Sequence, residues 1–475
     1  MSEIVTVNPA TGAEIERLPY MSEEEIDERL DTARSGFQAW RKRSFAERSR
    51  LLEQIAVKLR AERDRLAETA VREMGKPVVQ ARAEVEKCAW ACDYFAQHGA
   101  AYLADRETES NASRSLIAFR PLGVIFAIMP WNFPYWQVFR AAAPALMAGN
   151  SMVLKHADGT TRCALEIERV FTESGSPAGL FQTLLINHDD ADARIADERI
   201  AGVTLTGSER AGVAVASAAG NALKKCVLEL GGSDPFVVFA DADLDAAVEY
   251  AVKARFQNNG QSCIAAKRFI IEDALYDRFV RRFAEAAAAQ IVGDPMNEAT
   301  QIGPLARADL RDTLAQQVTQ SVVDGARIVT GGHAREGAGY FFDPTVVADV
   351  EVTAPMFEQE TFGPAAAVVR ARDEEHALEL ANRSNFGLGA NLWTRETERA
   401  LRFSENVEAG MVYINGMVAS DPRLPFGGVK RSGYGRELSS FGIHEFVNIQ
   451  TVWVGPERKQ ARDGATAAAA SVPSE

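Results

Sequence analysis

From Leu122 to about Gly442, short β-rich apolar runs alternate with helical stretches, and this alternation restricts the chain to an α/β fold on parallel sheets. Runs at 124–129, 152–155, 184–186, 202–206 and 227–230 read as strands, with helices at 139–147, 164–171 and 209–219 between them. After Gly232 a second series begins: a strand at 236–239, a helix at 243–256, a strand at 268–271 and a helix at 276–291. Two α/β units are therefore expected, the first a doubly wound domain. The stretch 445–454 alternates like a strand and pairs most naturally with 114–120, in a separate sheet whose open edges suit subunit contact. Before 122 the chain reads as helical. Ser22 and Glu25 form a capping-box signature for a helix through about 41, and amphipathic patterns follow at 46–74 and 77–97. The tail from Pro456 is poor in core-forming residues and reads as disordered.

At 475 residues the chain is too long for one ordinary core, in keeping with two or three domains. Its net charge of −14 argues against a nucleic-acid or anionic-membrane surface, so an anionic substrate needs a local cation. Five cysteines in this length do not make a disulfide framework. Cys88, Cys92, Cys163 and Cys226 sit in helical or apolar contexts and read as buried small hydrophobes. With no signal-like N-terminus and no apolar run of ~18 residues, a reducing cytoplasm is the expected setting. The six histidines are scattered, no cluster has metal-ligand spacing, and no metal site is expected.

Cys263 differs from the other four. It ends the run Phe256-Gln257-Asn258-Asn259-Gly260-Gln261-Ser262-Cys263, a polar bend from which a thiol can meet a substrate and backbone N–H groups. Upstream, Glu229 closes the apolar run before Leu230, Gly231 and Gly232. A thiol nucleophile with a remote carboxylate base suits covalent catalysis followed by attack of water. Gly207 and Ser208 follow a strand and open a helix. Such a junction can cradle phosphate, and it also serves as a plain βα turn. Lys155 ends a strand where open α/β sheets bind ligands, and Asp158 beside it can accept from a ribose 2′-hydroxyl and would repel a 2′-phosphate. In Pro130-Trp131-Asn132-Phe133-Pro134, two prolines fix the backbone around Asn132, whose amide is suited either to an oxyanion or to a helix cap. Glu360 stands in an acidic loop before Phe362-Gly363-Pro364, and Gly427-Gly428 in a glycine loop.

Together these pieces resemble the aldehyde dehydrogenase superfamily. PWNFP, LTGSERAG, ELGG, GQSC, FGP and PFGGVKRSGYGRE occur in the family's order, and the likeness covers about residues 3 to 454. The resemblance implies NAD(P)-dependent oxidation of an aldehyde to an acid. Cys263 would attack the carbonyl, Asn132 and the Cys263 N–H would hold the oxyanion, and loss of hydride to the nicotinamide would leave a thioester that Glu229-activated water hydrolyses. It implies Lys155 and Glu360 at the riboses, Ser208 at the pyrophosphate and Phe362 at the nicotinamide. Pro130, Trp131, Asp158, Gly207, Glu229, Leu230 and Gly231 complete the cofactor site. It further implies a Rossmann-like cofactor domain of 1–105 and 121–231, a catalytic domain of 232–443, a bridging sheet of 106–120 with 444–455, and a homodimer or homotetramer.

The run from Asn258 to Arg268, with Lys155-His156-Ala157, is most similar to the bacterial succinate-semialdehyde dehydrogenase branch. A substrate with a distal carboxylate wants a cation, and Arg140 matches an arginine that related semialdehyde enzymes use. Their second arginine falls at Gln257 here, and Arg423 is the candidate replacement. Ala265 stands where some relatives carry a redox-switch cysteine, so no thiol switch is expected. Asp158 leans the cofactor towards NAD.

Overall fold

The computed structural model describes residues 3–455, so the tail expected to be disordered lies outside the described residues. The chain opens on an antiparallel hairpin, Glu3–Val7 with Glu14–Pro19, where a helical start was expected. The second strand, EIERLP, buries no side chain and so carries no alternation of apolar residues. The capping box does form: the Glu25 N–H donates to Ser22 Oγ, the Ser22 N–H donates to Glu25 Oε2, and the helix runs Glu23–Trp40. The helix predicted over 46–74 is two helices, Phe45–Ala61 and Arg63–Met74. No proline or glycine marks the break at Glu62, whose carboxylate pairs with Lys58, Arg65 and Arg169. The next helix, Val78–Tyr102, extends past the predicted end.

A six-stranded sheet has the order Gly433–Tyr434, Lys225–Glu229, Ile200–Thr206, Val124–Met129, Ser151–His156, Phe181–Thr183. Its pairings are parallel except at the Gly433–Tyr434 edge. The chain enters at Val124–Met129, builds outward through two strands, then returns to build on the other side. That reversal leaves a crevice beyond the carboxyl ends of Val124–Met129 and Ile200–Thr206, where open α/β sheets take ligands. The last of the outward strands is Phe181–Thr183, not 184–186 as predicted. Leu184 and Ile186 are buried directly after it, so apolar burial runs past the strand and does not mark its end.

The second sheet has seven strands in the order Arg327–Thr330, Thr345–Ala348, Ala365–Ala371, Ala266–Glu272, Asp234–Val238, Gly389–Trp393, Met411–Ile414. It is parallel except at its Arg327–Thr330 edge. A third sheet pairs Val447–Val454 antiparallel with Arg114–Pro121, from Val447 opposite Pro121 to Val454 opposite Arg114, and adds Arg106–Glu107. It leaves Ile449, Trp453 and Val454 exposed. Among the described residues no helix is long and apolar enough to cross a membrane.

Candidate active site

Cys263 lies between helix Leu244–Phe256 and strand Ala266–Glu272, on a turn that the backbone enters with Asn258 and Asn259 both at φ 58°. Asparagine tolerates this left-handed region better than most residues, and here both side chains are also bonded. Asn258 Nδ2 donates to the carbonyls of Asn132 and Gln261, each at 2.9 Å. Asn259 Nδ2 donates to the Gly75 and Pro304 carbonyls, and its Oδ1 accepts from the Gly303 N–H. Gly260 follows at φ 71°, where a Cβ would come within 2.2 Å of the Gly363 carbonyl oxygen. The Phe362-Gly363-Pro364 loop therefore packs directly on the nucleophile turn. Lys267, fully buried, donates to the carbonyls of Ser262 (3.0 Å) and Cys263 (2.7 Å). Burial pushes the Cys263 thiol up to about 11, against the pull of the Arg140 and Lys267 charges, so it rests protonated.

The Cys263 side chain faces a cavity of about 270 Å³ whose wall includes Lys87, Phe133, Trp136, Arg140, Ser420 and Phe426. Gln257 also lines it and brings no charge. Of the Pro130–Pro134 segment Phe133 lines it and Asn132 does not, and the stretch from Asn132 to Trp136 is clamped at three points. Asn132 Nδ2 donates to the Gln261 carbonyl (3.1 Å), while Asn132 Oδ1 accepts from Gln137 Nε2 (3.4 Å). His156 Nε2 donates to the Pro134 carbonyl, and the Thr160 hydroxyl donates to His156 Nδ1. Burial holds that imidazole neutral, with its pKa lowered to about 4. Glu84 Oε1 accepts the backbone N–H groups of Tyr135 and Trp136, and its other oxygen pairs with the fully buried Lys76. Sequence periodicity missed Glu84 and Lys87, because charges on an amphipathic helix read as its solvated face, and Lys76, which stands in the link between two helices, where periodicity carries no signal.

Arg140 reaches the cavity wall, and its guanidinium lies 4.2 Å from the Phe426 ring centroid and forms a buried ion pair with Glu437. Glu229 ends its strand, and neither side-chain oxygen has a hydrogen-bond partner among the described residues. A Cβ on Gly427, at φ 149°, would lie 2.7 Å from Glu229 Oε1, so this glycine leaves room for the carboxyl. Glu229 is not among the residues lining the Cys263 cavity. Burial, and then the neighbouring Glu437 charge, hold its pKa well above the usual carboxylate range. Arg423 departs from its expected role. It is 67% exposed, paired with Asp421 and stacked near Trp90, and it does not line the cavity.

The remaining predicted residues gather at the crevice beyond the six-stranded sheet. Lys155 Nζ donates to Asp158 Oδ1 (3.1 Å), and Tyr20 donates to Asp158 Oδ2 (2.8 Å). This pairing offsets the charge expected to repel a 2′-phosphate. Ser208 caps helix Glu209–Asn221 directly after Gly207, accepting the Ala211 N–H. Leu230 and Gly231 are tied to Ser432 through the Leu230 N–H and the Gly231 carbonyl. Glu360 Oε1 accepts the Gly232 N–H (3.0 Å) and lies 3.5 Å from Lys267 Nζ. Trp131, next to Pro130, meets Phe362 edge to face at 5.7 Å between centroids. A cation, a hydroxyl-capped helix N-terminus, a carboxylate and an aromatic pair at a strand-order reversal are a donor set that fits a dinucleotide.

The chain is 50% identical over 449 residues to a succinate semialdehyde dehydrogenase (NAD(P)+) of Escherichia coli strain K12, covering 94% of this chain and 97% of that one. It is 48% identical over 454 residues to succinate-semialdehyde dehydrogenase (NADP(+)) 1 of Mycobacterium tuberculosis, covering 95% and 99%. Among solved structures, the succinic semialdehyde dehydrogenase of Streptococcus pyogenes in complex with NADP+ matches at a TM-score of 0.93 and 38% identity, over 95% of this chain and 100% of that one. Lactaldehyde dehydrogenase of Escherichia coli gives the same TM-score at 33% identity, over 96% of each chain. These relatives do not support a lean towards NAD. The aldehyde dehydrogenase family model matches residues 1–452, and the chain belongs to that family.

Proposed function

We propose that this protein oxidises succinate semialdehyde to succinate, with NAD or NADP as cofactor. The observation that carries this reading is Cys263 on a braced turn, facing a cavity that two cationic side chains line. The names of the similar proteins point to the same substrate.

Cys263 forms the carbon–sulfur bond to the aldehyde carbonyl as the thiolate, and because burial keeps the thiol protonated, its proton passes first to water in the cavity. Asn132 Nδ2 and the Cys263 N–H stabilise the oxyanion of the thiohemiacetal. When bound, the nicotinamide cofactor supplies the acceptor for the hydride that leaves this carbon. Lys155 and Glu360 would hold its ribose hydroxyls, Ser208 its pyrophosphate, and Trp131 and Phe362 its ring. Burial and the Glu437 charge favour the neutral form of Glu229 where it rests against Gly427. With neither oxygen bonded, it is free to turn towards cavity water, where relief of that burial favours the carboxylate that acts as base to hydrolyse the thioester.

The cofactor domain in this reading is 1–105 with 121–231, and the catalytic domain is 232–443, which lends Gly433–Tyr434 to the cofactor sheet. The exposed Ile449, Trp453 and Val454 support assembly as a homodimer or homotetramer through the sheet of 106–120 with 444–455. The enzyme is assigned to the cytoplasm on its few unpaired cysteines.

The test is reduction of NAD and of NADP with succinate semialdehyde, glutarate semialdehyde and butanal. The reading predicts the highest kcat/KM for succinate semialdehyde. Equal or better turnover of butanal would remove the carboxylate from the argument.

A further inference from the structure

Three ionisable side chains other than the nucleophile line the Cys263 cavity: Glu84, Lys87 and Arg140. Two of them are already matched. Glu84 is bonded to the Tyr135 and Trp136 N–H groups and paired with Lys76. Arg140 is paired with Glu437, both side chains almost fully buried. Lys87 is different. Its ammonium donates to the Ser420 hydroxyl at 2.7 Å and sits 4.6 Å from the centroid of the Trp136 ring. Among the described residues no carboxylate lies within ion-pair distance of it.

A partly buried cation held only by a hydroxyl and an aromatic face has unmet demand for an anion. The shift of its pKa to about 8, caused by burial and then by the Arg140 charge, expresses the same demand. Ser420, which accepts from Lys87, keeps its own hydroxyl proton to donate. The ammonium protons that Ser420 does not take and the Ser420 hydroxyl proton therefore belong to two residues that line the cavity holding the nucleophile. Arg140 cannot meet a substrate carboxylate as fully, because Glu437 already neutralises it.

We propose that Lys87, together with Ser420, is the specificity-determining anchor for the distal carboxylate of the substrate. It supplies the charge that Gln257 does not bring. Arg140 in this arrangement is a positioning residue that holds Glu437 and shapes the wall with Phe426. The assignment rests on the semialdehyde reading above and names the residue that enforces it.

The test compares kcat/KM for succinate semialdehyde with that for butanal, a neutral aldehyde of the same chain length, at saturating cofactor. The wild-type ratio is measured first. A wild-type enzyme that does not favour the semialdehyde overturns the substrate reading and this anchor with it. Given wild-type preference, Lys87→Met is expected to lower the ratio by at least about thirty-fold, mainly through KM for the semialdehyde. Lys87→Arg is expected to restore most of it. A ratio within about two-fold of wild type in Lys87→Met overturns the anchor alone and leaves the substrate reading standing. Should Lys87→Met lose turnover of both aldehydes, Lys87→Gln, which keeps a donor for Ser420, replaces it. An unchanged ratio in Lys87→Gln overturns the anchor, and a fall of similar size supports it.

Discussion

Arg140 and Glu437 form an ion pair between the nucleophile cavity and Glu229, with side chains 2% and 5% exposed. The Arg140 charge lowers the pKa of Glu229 and of Cys263, while the Glu437 charge raises that of Glu229. Removing one partner leaves a buried charge unmatched, which costs more than the pair itself contributes. Glu437→Gln is therefore expected to destabilise the fold by about 3–5 kcal/mol in denaturant unfolding. Loss of its negative charge also lowers the Glu229 pKa, so the acid limb of the steady-state pH profile moves to lower pH.

Asn132 is held by Gln261 and Gln137 before any substrate arrives. Its amide is thus oriented in advance, the condition under which an oxyanion donor contributes most. Asn132→Ala is expected to lower kcat by about 10²–10³-fold, with a smaller change in KM. An equal loss through KM alone would assign Asn132 to ground-state binding.

Charge on Lys87 gives the selectivity a pH dependence. Facing it are Glu84 and Cys88 from its own helix, Arg140 from the helix Trp136–Ala148, and Asp421 from the loop that carries Ser420. Its pKa is lowered to about 8, so the ammonium is charged at neutral pH and lost as pH rises through that value. The kcat/KM ratio of succinate semialdehyde to butanal is expected to fall above pH about 8, since titration of Cys263 and Glu229 is shared by both substrates and cancels. A flat ratio between pH about 7 and about 9 would contradict the prediction.

The pairing of Asp158 with Lys155 and Tyr20 bears on the cofactor. An unpaired aspartate would repel a 2′-phosphate, and this one is matched. Both NAD and NADP are expected to support turnover, and Asp158→Asn is expected to shift the NADP to NAD ratio of kcat/KM by less than about ten-fold. A larger shift towards NADP would mean that Asp158 carries effective negative charge at the ribose.

Local patterns made much of this molecule legible. The Ser22–Glu25 capping box, the strand–helix alternation and the polar bend at Cys263 each report on neighbours in sequence, where short-range physics decides. The N-terminal hairpin was hidden because Glu14–Pro19 buries nothing. The break at Glu62 was hidden because charges from three helices hold it, not a local breaker. The charged groups behind the site were hidden for the same reason. Glu84 and Lys87 differ from solvated charges in what Tyr135, Trp136 and Lys76, and the Ser420 loop, bring against them. Arg423 shows the converse: a plausible charge near a family motif that the fold turns outward.

The central claim is a covalent route through Cys263 with Glu229 as the hydrolytic base. Intact-protein mass spectrometry of Glu229→Gln, mixed with succinate semialdehyde and oxidised cofactor, tests it most directly. The account predicts one equivalent of reduced nicotinamide per subunit and a mass gain of one succinyl group, located on Cys263 and absent in the Cys263→Ala, Glu229→Gln double variant. Sustained turnover by Glu229→Gln, or reduced cofactor formed with no adduct on Cys263, would contradict it.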